Sequence, residues 1–177
     1  MNNHQMSVLP LYLIRHGIAI DRELFPGPDA ERYLTNQGEK KTQQIAERLV
    51  DLGVSCDLIL SSPLVRAKQT SDILLNAGLA DEVQINEALA PGGRFGDWLQ
   101  WLDQWHSQAR MGLALVGHEP DLSQWAELLV WGSSRGVLAL KKAGIIGLDV
   151  PLGDPVGQSS LFLLTPPRFL LGKVPKP

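Results

Sequence analysis

A single cysteine, Cys56, stands in the whole chain. That excludes an internal disulfide and any cysteine-rich zinc site, and it makes a reducing, cytoplasmic setting the expectation. Cys56 itself reads as a small buried residue. Long apolar runs are missing too: none approaches the roughly 20 residues of a membrane span. The opening stretch MNNHQMSVLP has no basic segment ahead of a long apolar one, so it does not read as a signal peptide. Excess positive charge is also absent. A net charge of −3 excludes a broad footprint for nucleic acid or anionic lipid, so any positive charge that matters must be local. No HExxH segment, Walker A loop or carboxylate cluster occurs, so neither a metal nor a cofactor is expected.

What is present suits one domain over residues 1–177. Hydrophobic residues make up 44% and charged residues 20%, ordinary globular usage that supplies a core of its own. Repeats, low-complexity segments and linkers are lacking. Residues 1–10 and the proline-rich 166–177 are expected as loose termini.

Apolar pattern and breakers divide the chain. LYLIR is a short apolar run that reads as a strand buried on both faces. Residues 18–34, with Pro26, Gly27 and Pro28, read as a loop. Thr35 then caps a helix whose Ile45, Ala46, Leu49 and Val50 recur at helical spacing until Gly53. CDLILSSP is the next strand and its exit, and Ser62-Pro63 predicts a helix start with serine as cap. EVQINEAL is a weaker strand. Residues 95–107 read as a helix with Trp98, Trp101, Leu102 and Trp105 on one face. GLALVGHEPDLS is a strong strand, a turn and a helix from about Asp121; GIIGLDV and SSLFLLT are two final strands. Strands alternating with helices predict a three-layer α/β/α sandwich with a mostly parallel central sheet.

In such sheets functional groups gather beyond the carboxyl ends of the strands. Applied here, that rule sends Arg15, His16 and Gly17 to one edge, with Ser61, Ser62 and Arg66 beside them. Gly117, His118 and Glu119 arrive at the same edge. Arginine forks match phosphate oxygens and keep their charge, while helix starts and turns add free N–H groups. A neutral imidazole attacks phosphorus if its far N–H is held by a carbonyl. His16 is therefore the expected nucleophile, and Arg15, Arg66 and His118 the expected stabilisers of charge on the phosphoryl oxygens.

LIRHG, SSPLVRAKQT and LVGHEPDLS together resemble the signature segments of the histidine phosphatase superfamily, which has the phosphoglycerate mutase-like fold. The resemblance implies phosphorylation of His16 and a pocket completed by Arg15, Arg66 and His118. It is closest to the SixA-type phosphohistidine phosphatases, because ERYLTNQG, EALAPGG and KKAG also look like theirs. This places Arg32 at the pocket rim and adds Glu119 to the phosphate-binding set. Glu87 in INEAL matches the position where many relatives carry a glutamate proton donor. Between Asn86 and Leu113 there is room for one helix and its loops, which implies no large cap insertion. An uncapped site implies a protein partner that displays phosphohistidine, such as a histidine-phosphotransfer domain in signal transduction, with no nucleic-acid or membrane partner.

Other residues have plainer explanations. His4 and His106 lack such company; His106 reads as a cap or a solvent-facing residue. The tryptophan face reads as core packing rather than ligand stacking. Lys141 and Lys142 read as an exposed pair before they read as a docking patch for an acidic partner, and Arg32 divides evenly between substrate contact and surface. Asp29 is a nearby carboxylate without an assigned use. Two other functions stay open: a broad small-molecule phosphomonoesterase, and a non-catalytic phosphohistidine-binding module.

Overall fold

The structure is a computed structural model, and it describes residues 8–105 and 111–172. His4 and His106 lie outside the described residues.

Six strands form one sheet in the order β3-β2-β4-β1-β5-β6. They are β1 (Val8–Arg15), β2 (Leu58–Ser61), β3 (Val83–Ile85), β4 (Leu113–Gly117), β5 (Ile145–Pro151) and β6 (Ser160–Thr165). β3, β2, β4 and β1 pair in parallel, and β5 and β6 add antiparallel pairs at one side. The mostly parallel sandwich expected from the sequence is the architecture observed. Because β5 opposes β1 and β6 opposes β5, the carboxyl end of β6 returns to the edge where β1, β2 and β4 end. That topology brings six chain segments to one edge of the sheet.

Alternation along the strands makes the two faces. Leu11, Leu13, Leu58, Leu60, Leu113 and Leu115 point into one cluster. It is closed by Trp98 and Leu102 of α3 (Phe95–Trp105) and by Leu122, Trp125 and Leu129 of α4 (Asp121–Trp131). Ile14, Ile59, Ala114, Val116 and Ile145 point the other way. There they meet Ile45 and Leu49 of α1 (Asn36–Asp51) and Ala67 and Leu74 of α2 (Val65–Asn76). Trp98 is fully buried and stacks on Trp125 at 5.4 Å, while Trp101 and Trp105 pack partly buried on the same cluster. Helical spacing in this segment serves the core.

Local signals explain most boundaries. The Thr35 hydroxyl accepts from Gly38 N at 3.0 Å and starts α1; Gly53, at φ 81°, ends it in a conformation that glycine adopts freely. Gly38 has a different reason to be glycine. A Cβ there would stand 2.0 Å from the Ile18 carbonyl oxygen, so α1 packs directly on the loop that follows His16.

Three expected boundaries are corrected. α2 starts at Val65 with Leu64 before it, two residues later than the Ser62-Pro63 signal. Ser62 is still tied to the sheet through its N–H to Val116 O; its hydroxyl bonds His118 and accepts from Leu64 N at 3.3 Å, the residue before the helix, rather than from an N–H inside it. Residues 8–10 are not loose: β5 outlasts the parallel part of β1 and pairs with Val8, Leu9 and Pro10. Pro10 is tolerated because pairing with β4 begins only at Leu11, so one side of the strand needs no N–H there. At the other end Pro167–Leu170 form the short helix α5, and Leu170 and Leu171 pack on the α1 and α2 face.

Candidate active site

β1 ends at Arg15, and the N–H of His16 still donates to Gly117 O at 3.1 Å, so the His16 and His118 segments leave the sheet side by side. Their ring centroids stand 5.1 Å apart. Arg66, the second residue of α2, reaches back across the pocket, and its Nε donates to His16 Nε2 at 3.3 Å. Of the residues expected at the site, the fold brings Arg15, His16, Arg66 and His118 together.

His16 has a defined tautomer. Its Nδ1–H donates to the Gly17 carbonyl at 2.7 Å, which leaves the Nε2 lone pair for the pocket. Gly17 is fixed in turn: its N–H donates to Thr70 Oγ1 at 3.0 Å, and that hydroxyl donates to Arg66 O at 2.7 Å. Burial first, then the neighbouring His118 and the two arginines, pushes the His16 pKa down to about 3, against the Gly17 bond that raises it. Burial, with Arg66 next, holds His118 at about 4. Both rings are neutral at neutral pH, as a nucleophile and a neutral donor must be.

Two donors at the site have no hydrogen-bond partner among the described residues, Arg15 Nε and His118 Nδ1, and both are buried. An unpartnered buried donor costs on the order of 1–3 kcal/mol, so such a pair marks a place where an acceptor belongs. Phosphoryl oxygens are acceptors of the right charge for both. Among the described residues no group of three or more His, Cys, Asp or Glu converges to hold a metal ion.

The structure adds residues that the motifs did not assign. Ser62 Oγ lies 2.8 Å from His118 Nε2 and is completely buried. With the serine hydroxyl donating, the ring's proton is kept on Nδ1. Asp29 holds both rim arginines: its Oδ2 accepts from Arg66 Nη2 at 2.9 Å and its Oδ1 from Arg32 Nε at 2.8 Å. Its carbonyl also accepts from Arg66 Nη1 at 2.7 Å. The i,i+3 spacing of Asp29 and Arg32 was visible in the sequence, but the reach to Arg66 was not. Arg32 thus stands beside Arg66 through a shared carboxylate, with Nη1 on Ile20 O.

Arg15 is positioned from the other side. Its Nη1 donates to Leu140 O at 2.8 Å. The loop that carries Leu140 is organised by Glu127, a fully buried carboxylate of α4. Burial alone would raise its pKa, yet the N–H groups of Leu138, Arg135, Gly136 and Val137 outweigh that and hold it at about 2. Ala143, at φ 59°, then turns its N–H onto the carbonyls of Arg15 and His16.

Two expected carboxylates sit apart from the nucleophile. Glu87 begins the 3-10 turn after β3 and is exposed, and no hydrogen bond or ion pair joins it to the four pocket residues. Glu119 is half-buried and accepts from Ser123 Oγ at 2.8 Å. Burial raises its pKa, opposed by Ser123 and by the charge of Arg15. While ionised it repels a phosphate and attracts the charge of Arg15, but its hydrogen bonds go to Ser123 and the Leu140 backbone. Cys56 lies on the opposite part of the core, its thiol pushed up to about 12 by burial and Asp57.

Comparison with known proteins identifies the family and the fold. The family model described as histidine phosphatase superfamily (branch 1) matches residues 11–119. An uncharacterized protein of Picosynechococcus sp. is 45% identical over 165 residues, which is 92% of this chain and 99% of that protein. The mitochondrial serine/threonine-protein phosphatase Pgam5 of Drosophila willistoni is 38% identical over 74 residues, 42% of this chain but only 24% of that protein. Among solved structures, the protein histidine phosphatase SixA complexed with tungstate has a TM-score of 0.79 at 21% identity, over 92% of this chain and 99% of that one. The alpha-ribazole phosphatase from Shigella flexneri has a TM-score of 0.63 at 19% identity, over 90% and 97% of the two chains. At those identities the structural likeness establishes the fold.

Proposed function

The chain belongs to the histidine phosphatase superfamily, and from that premise we propose that it removes phosphate from protein phosphohistidine, without a metal, through a phosphorylated His16. The observation that carries this reading is the hydrogen-bonded tautomer of His16, with Nδ1–H on Gly17 O and Nε2 turned to Arg66.

The chemistry follows from those bonds. Nε2 of His16 attacks phosphorus while the P–N bond to the substrate imidazole breaks, and that imidazole leaves with a proton from solvent. The new positive charge on the His16 ring is held by the Gly17 carbonyl. Arg66 Nε shifts from Nε2 to a phosphoryl oxygen, and Arg15 Nε and His118 Nδ1–H take the others. Water then attacks phosphorus, the Nε2–P bond breaks, inorganic phosphate departs and the water's surplus proton returns to solvent. An imidazole leaves readily once protonated, so the exposed position of Glu87 is compatible with this substrate class.

Access supports a protein substrate. Of the described residues between β3 and β4, one 3-10 turn precedes α3, and α3 is held in the core by Trp98 and Leu102. No helix among the described residues there is left to cover the site. The SixA-type structures provide the same fold around an enzyme whose name is that of a protein histidine phosphatase. A phosphorelay carrier such as a histidine-phosphotransfer domain is the partner proposed, in the cytoplasm, where Cys56 stays a thiol; no helix among the described residues is long and apolar enough to cross a membrane.

A small-molecule phosphomonoesterase is the second reading. It is favoured by the recess of the site, with His16 only 6% and His118 only 4% exposed, which suits a slender ester. A non-catalytic binding module is disfavoured by the intact quartet of Arg15, His16, Arg66 and His118.

One experiment separates these. A phosphorylated histidine-phosphotransfer domain and p-nitrophenyl phosphate are each incubated with the protein in EDTA, and again with His16→Ala. Release from the phosphoprotein, lost in His16→Ala, is the expected result. Release from the ester alone supports the second reading, release from neither leaves only binding, and activity retained in His16→Ala removes the proposed nucleophile.

A further inference from the structure

A cleft of about 750 Å³ opens beside Arg15 on the carboxyl edge of the sheet. Its position follows from topology: the start of β5 and the end of β6 both lie at that edge. Lys141 and Lys142 precede β5, Arg168 follows β6, and Lys41 reaches in from α1. No carboxylate lines the cleft. Among the described residues none of these four cations is in an ion pair, although the chain as a whole carries a net charge of −3. The positive charge is therefore gathered where no described carboxylate pairs with it.

The walls between the cations are apolar. Ile18, Leu140, Leu164 and Pro166 line the same cleft, and Leu164, next to the last residue of β6, is 43% exposed. A small polyanion would use the charges and leave these surfaces wet. An extended peptide with acidic residues and an apolar one between them would use both. The cleft is continuous with the phosphate site through Arg15, whose Nη1 is bonded to the cleft residue Leu140.

We propose that this cleft docks an acidic segment that flanks the phosphorylated residue of the protein substrate, an inference that rests on the protein-phosphohistidine function proposed above. Lys141 and Lys142 are then a docking patch rather than a plain exposed pair. Docking depends on charge at partly exposed groups, so it weakens as salt rises.

The test uses two fluorescein-labelled peptides of alternating leucine and charged residues around one histidine, with glutamate in one and lysine in the other. Binding of the unphosphorylated peptides is read by anisotropy at low and high salt. The glutamate peptide is expected to bind at least about tenfold tighter at low salt, and the difference to shrink at high salt. In the triple variant Lys141→Glu, Lys142→Glu, Arg168→Glu the preference is expected to disappear while p-nitrophenyl phosphate is still turned over. Equal binding of the two peptides by the native protein overturns the groove, as does a preference that survives in the triple variant. The phosphohistidyl forms of the same peptides are then assayed for phosphate release. A retained glutamate preference with no release from either form supports the groove and overturns the protein-phosphohistidine function.

Discussion

The Nε of Arg66 donates to Nε2 of His16 across 3.3 Å, while Nδ1 of the same ring donates to Gly17 O. A ring nitrogen that accepts from a guanidinium is unprotonated, so the nucleophile is prepared before any substrate arrives. Burial and the surrounding cations reinforce this by lowering the pKa to about 3.

The first consequence concerns pH and rate. Free imidazole would lose nucleophilicity as pH falls through 6.5, but His16 stays neutral well below that value. After correction for ionisation of the substrate, kcat/KM for a phosphomonoester is expected to hold to about pH 5 and to fall below it. An enzyme ionisation near 6.5 on the acid limb would show that His16 is not held neutral.

The second concerns pH and stability. Both histidines have folded pKa values, about 3 and about 4, below the unfolded 6.5. The unfolded chain thus binds more protons in that window, so stability is full above 6.5 and is lost as pH falls toward the folded values. Roughly 3 kcal/mol or more is at stake over the window. Chemical denaturation at pH 7 and pH 4.5 is expected to show a clearly smaller loss for His16→Asn, His118→Asn than for the native chain. An equal loss would mean that carboxylates alone govern acid stability.

Ser62→Ala removes the hydroxyl that orients His118. Its expected effect is a fall in kcat/KM of about 10- to 100-fold, because a donor to the phosphoryl group loses its fixed tautomer. Unfolding free energy should also fall, by about 1–3 kcal/mol, because Leu64 N–H and His118 Nε2 lose a buried partner. Unchanged kinetics would reduce the 2.8 Å contact to packing.

Glu127→Gln leaves the backbone N–H groups of residues 135–138 facing an amide that presents two donors of its own. A loss of about 3 kcal/mol in unfolding free energy is expected. KM should rise as well, because the loop that presents Leu140 O to Arg15 is released. Native stability in this variant would exclude the buried carboxylate as the organiser of the loop.

Gly38→Ala sets two effects against each other. Alanine gains roughly 1 kcal/mol of helix propensity. The new Cβ, however, would stand 2.0 Å from a backbone oxygen of Ile18, which cannot swing aside. The clash wins, with a net destabilisation of about 2 kcal/mol or more, checked by denaturant unfolding.

Much of this was legible in the chain because it is local. Thr35 caps α1 and Gly53 ends it as their types predict, and LYLIR and LALVG lie in the buried strands β1 and β4. The Ser62-Pro63 signal failed because Val116 O, distant in sequence, holds the serine backbone on the sheet and delays the helix to Val65. Pro10 misled in the same way, since it carries a coil signal while β5 offers it a place on the sheet.

What the sequence determined by itself is therefore the alternation of elements and the placement of Arg15, His16, Arg66 and His118 at strand and helix ends. Those features follow from side-chain period and from backbone rules that act within a few residues. The tertiary structure alone decided which atoms meet. His16 and Arg66 are 50 residues apart, Ser62 and His118 56, Asp29 and Arg66 37, and Arg15 and Leu140 125. Contacts at such separations depend on how the sheet orders its strands, and that order is a property of the whole packed chain.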